Sequence, residues 1–62
     1  SRKEFRHFLT IARGSLSELE TLIVISEEVG YLVKEARTSL LKSCDTVSAL
    51  LSGLITNLES RK

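Results

Sequence analysis

The strongest constraint on this chain is an apolar repeat in its first half. Phe5, Leu9, Ala12, Leu16, Leu19 and Ile23 recur in steps of four and three. That spacing places them on one face of an α-helix; a strand would need every second residue. A second apolar line, Phe8, Ile11, Leu22, Ile25 and Val29, runs beside the first. Ser15 and Glu18 interrupt this second line, so the wide apolar face carries a small polar notch.

The ends of this helix are also legible. Ser1 followed three residues later by Glu4 has the spacing of a capping box. Gly30 follows the last periodic residue, Val29, as a left-handed C′ glycine would. Tyr31 and Leu32 then turn the chain back. A loop this short makes the next helix run antiparallel beside the first. The predicted layout is one helical hairpin over residues 1–62, with a helix over about 2–29, a turn over 30–33 and a helix over about 34–60.

In the second helix, Val33, Leu40, Cys44, Val47, Leu51, Leu54 and Leu58 form one stripe, and Leu41, Ser48 and Ile55 a neighbouring line. No N-cap residue precedes it, and its many Ser and Thr residues are mediocre helix formers. Such a helix depends on packing. Gly14 and Gly53 fall inside the helices, where glycine costs about 1 kcal/mol relative to alanine. With Ala12, Ser15 and Ser17 near Gly14, they are expected at close helix–helix contacts. Leu19 and Leu51 are expected in the core.

Each helix is about 26 residues, on the order of 39 Å long. Two such helices bury one seam, yet both carry more than one apolar stripe. The chain has 62 residues, one Cys and one His. Chains of this size rarely gain more than roughly 3–5 kcal/mol from a core and are helped by disulfides, a metal or association. One Cys cannot close an internal disulfide, and one Cys with one His is too few ligands for a closed zinc site. Association, or docking onto further chain, is what remains. The expected fold is therefore all-α: an antiparallel hairpin that forms half of an up-and-down four-helix bundle, completed by oligomerisation or by further helices.

The net charge is +1, but its placement is uneven. Arg2, Lys3, Arg6 and Arg13 fill the start of the first helix, and Glu18, Glu20, Glu27 and Glu28 its end. Antiparallel pairing brings Arg61 and Lys62 beside Arg2, Lys3 and Arg6. That basic end is a candidate contact for nucleic-acid phosphates. The simpler reading is a solvated surface with charges that suit the end of the second helix. Glu18 lies on an apolar line, and a carboxylate covered there needs a partner on another helix. Cys44 reads as a small buried hydrophobe, and His7 as an edge residue. No Ser/His/Asp arrangement, phosphate-binding glycine loop or paired carboxylates are present, so no enzymatic activity, cofactor or metal is expected. No run approaches the ~20 apolar residues of a membrane span. The lone Cys and the lack of a signal-like segment favour the cytoplasm.

Several segments together resemble a known family. They are Glu4-Phe5, Phe8-Leu9, Ile11-Ala12, Gly14-Ser15-Leu16, Glu18-Leu19-Glu20-Thr21, Gly30-Tyr31 and Leu50-Leu51-Ser52-Gly53-Leu54-Ile55. The resemblance is to the four helix bundle proteins encoded in intervening sequences of bacterial large-subunit ribosomal RNA genes. It implies a protein about twice this length, of which this chain is similar to the last two helices. It also implies ring-like homo-oligomers, commonly pentamers, and the expected partner is a homo-oligomer, dimer to pentamer, or the missing N-terminal helices. By the same likeness, Gly14, Ser15, Glu18 and Thr21 would form the tight helix–helix contact, with Glu18 satisfied by the missing helices; Phe5, Ala12, Leu19, Leu51 and Gly53 join them as candidate helix-packing or oligomer contacts. Related accessory proteins of diversity-generating retroelements bind nucleic acid through basic surface. That likeness makes Arg2, Lys3, Arg6, Arg13, Arg61 and Lys62 nucleic-acid candidates. Leu22 and Val33 depart from the family pattern, which often has a polar residue at the first position and a helix-capping Ser or Asp at the second.

Overall fold

The computed structural model describes residues 1–60 and is an all-α helical hairpin. Helix α1 spans Arg2–Glu28 and helix α2 spans Lys34–Ser60. They lie antiparallel in a rod 48 Å long and only 15 × 11 Å across. The candidate cations Arg61 and Lys62 lie outside the described residues.

The start of α1 is a full capping box. The Ser1 hydroxyl accepts from the Glu4 backbone N–H at 3.2 Å, and the Glu4 carboxylate accepts from the Ser1 ammonium at 3.1 Å. Two donors that helix geometry orphans are thereby satisfied. The end of α1 is a Schellman turn. Gly30 has φ +86°, Tyr31 N–H donates to Ser26 O at 2.8 Å, and Gly30 N–H donates to Glu27 O at 3.0 Å. A Cβ is strained at that φ, so glycine fits here where other residues would not. The turn is thus written at Gly30, while Tyr31 stands in solvent.

Helix α2 begins without such help. Arg37 N–H donates to Val33 O at 3.0 Å, which makes Val33 the N-cap residue. Its side chain has no oxygen to offer the first N–H groups. The hydroxyls inside the helices are accommodated locally instead. Thr10, Thr21, Ser26 and Thr46 each donate to the carbonyl four residues back, at 3.0, 3.4, 2.7 and 3.2 Å. This back-bonding satisfies the hydroxyl without disturbing the helix, at a small cost to its stability.

The buried core is small. Only Ile23, Cys44 and Ile55 are buried among the described residues, and each keeps a few per cent of its surface exposed. Leu9, Leu16, Leu32, Leu41, Leu51 and Leu58 are half-buried around them. The α2 side of the seam is thus Leu41, Cys44, Ser48, Leu51, Ile55 and Leu58, in alternating steps of three and four. On α1 it is Leu9, Leu16 and Ile23, one per heptad. This corrects the sequence-based core in two places. Phe5 and Leu19 on α1, and Val33, Leu40, Val47 and Leu54 on α2, are exposed rather than buried. The reason is geometric. Two helices in contact can cover only the lines that face each other, and α2 turns its Leu41–Ser48–Ile55 line inward. The other lines remain outside the seam.

Gly14 and Gly53 differ from expectation too. A methyl group built at either would meet no atom within 4 Å. The close approach expected there is not made within the hairpin, because α2 passes on the other side of α1 from Gly14, and the reverse holds for Gly53.

The capping analysis yields a test. Replacing Val33 with Ser or Asp supplies the missing acceptor and should raise stability by about 1 kcal/mol. Urea unfolding followed by circular dichroism measures it. Val33 is two-thirds exposed, so no core packing is lost in the exchange.

Candidate functional site: an uncovered apolar face beside a polar rail

The two long sides of the rod differ in chemistry. One side is a polar rail of heptad-spaced residues on α1: Arg6, Arg13, Glu20 and Glu27. Arg6 Nη1 donates to Glu59 Oε2 at 3.2 Å. Arg13 Nη1 donates to Ser52 Oγ at 3.3 Å. Glu27 Oε1 lies 2.6 Å from Arg37 Nε across the turn. The Arg37 N–H is not aligned with that oxygen, so the contact is an ion pair and the Nε–H has no hydrogen-bond acceptor. These cross-links join the two helices at both ends and near the middle. They fix the register of α2 on α1.

The opposite side is apolar and open. A shallow groove there is lined by Leu16, Leu19, Ile23, Leu40, Ser43, Cys44 and Val47. Leu19 is 46% exposed and Val47 44%. Heptad steps carry the same face toward the far end of the rod through Ala12 and Phe5 on α1 and Leu54 on α2. Around the outer side of α1 it continues through Phe8, Ser15 and Leu22, with Phe8 66% and Leu22 59% exposed. Cys44 forms part of the groove floor and is a free thiol.

The total accessible area is 4812 Å², whereas a compact protein of 6.9 kDa would expose about 4000 Å²; the thin rod shape leaves polar and apolar surface alike uncovered.

The packing residues expected from sequence now separate. Leu51 lies in the α1–α2 seam. Phe5, Ala12, Ser15 and Leu19 lie on the open apolar face. Thr21 and Ile25 border a groove on the polar side with Glu20, Val24 and Leu41. Glu18 is exposed on the outer side of α1 and makes no ion pair among the described residues. Of the basic candidates, Arg2, Lys3 and Arg6 line one hollow at the end of the rod with Ser1, Leu58 and Glu59. Arg13 is a separate residue of the polar rail. What sequence reasoning missed was the pairing of α1 cations with α2. Its signal was the seven-residue spacing of Arg6, Arg13, Glu20 and Glu27.

Among the described residues, no group of three or more His, Cys, Asp and Glu could hold a metal ion. No helix among them is long and apolar enough to cross a membrane. His7 stacks at an angle beside Phe8, with ring centroids 6.3 Å apart.

These features define a class: an antiparallel two-helix hairpin with one closed seam and an apolar face outside it. The sequence comparison gives that class a family. Residues 1–53 match the family described as 23S rRNA-intervening sequence protein, and the chain belongs to it. No curated protein and no solved structure matches the chain.

The polar rail makes a graded prediction. Glu27→Gln should cost on the order of 1 kcal/mol, because both partners are about 70% buried at the side chain, whereas Glu59→Gln at the open end should cost close to nothing. Urea titration of both variants at low and high salt distinguishes the two positions.

Proposed function

We propose that the chain is a non-enzymatic helical assembly module of this family. Its apolar face takes up further helices, so that the hairpin becomes half of an up-and-down four-helix bundle. One observation carries the reading: the exposed line Phe5–Ala12–Leu19 on α1 stands beside the exposed line Leu40–Val47–Leu54 on α2, with the open groove between them. In a four-helix bundle these are the positions that face the bundle axis. The covering helices come from a second copy, in a homo-oligomer, or from helices that precede this segment in a longer chain. The groove lacks the convergent polar groups that a catalytic site requires.

An apolar dye tests this reading. The monomeric chain should bind a naphthalene-sulfonate dye, and Leu19→Glu with Val47→Glu should reduce its fluorescence several-fold while leaving the seam residues intact. A wild-type chain that is fully helical as a monomer and binds no dye would remove the proposal.

A second reading rests on the hollow at the rod end, where Arg2, Lys3 and Arg6 converge. In that reading the module is an accessory protein that grips RNA or DNA phosphates with its basic end. Arg6 already donates to Glu59, and Arg13 to Ser52, which weakens both as phosphate ligands. If this end binds single-stranded RNA, affinity falls with salt. Neutralising Arg2 and Lys3 then lowers the slope of log K against log salt by about 0.7 per lost phosphate contact. Fluorescence anisotropy with a labelled oligonucleotide reads this directly, and no binding at low salt sets the second reading aside.

A further inference from the structure

We draw no further inference here: the strongest candidate, the open apolar face outside the α1–α2 seam with Glu18 exposed at its α1 border, is an unpartnered surface, and nothing in the structure shows what covers it.

Discussion

Burial of Leu9, Leu16 and Ile23 against Leu41, Cys44, Leu51, Ile55 and Leu58 is the interaction on which the two helices depend. Helix α2 has a poor N-cap and many hydroxyl side chains, so its propensity alone would not hold it. Among the described residues the seam closes over three buried residues, of which one is a cysteine. A core of that size stabilises only weakly. The rest of the architecture follows from this shortage. The capping box and the Schellman turn lower the cost of forming α1 and reversing the chain. The polar rail accompanies the inward placement of the Leu41–Ser48–Ile55 line of α2.

That rail and the open face lie on opposite long sides of the rod. Arg6, Arg13 and Glu27 occupy one side of α1 and reach Glu59, Ser52 and Arg37. These pairings accompany the packing of the Leu41–Ser48–Ile55 line of α2 against α1. The apolar lines Phe5–Ala12–Leu19 and Leu40–Val47–Leu54 lie outside the seam, and the assembly reading proposed above rests on that placement.

Much of this was legible in the residues. The apolar period set the helices, Ser1 with Glu4 set the first cap, and Gly30 set the turn, because each acts locally. The choice between neighbouring stripes was not legible. Leu40–Val47–Leu54 and Leu41–Ser48–Ile55 both share Cys44, Leu51 and Leu58 as partners in a heptad, so periodicity fits either. The decision rests on cross-helix pairs such as Arg13 with Ser52, which sequence spacing along one helix does not reveal. Gly14 and Gly53 misled for a related reason. Small residues signal that close approach is allowed, not which helix makes it. Glu18 lies on an apolar line in the sequence, and the structure leaves it exposed on the outer side of α1.

The central claim is that the hairpin seam is too small to hold the chain alone and that the open apolar face must be covered. Sedimentation equilibrium and circular dichroism on one sample test it most directly. The account predicts that monomeric chain is only partly helical and that helicity becomes complete when the face is covered, by added amphipathic helix or by association. A fully helical monomer that withstands several molar urea with the face uncovered would contradict it.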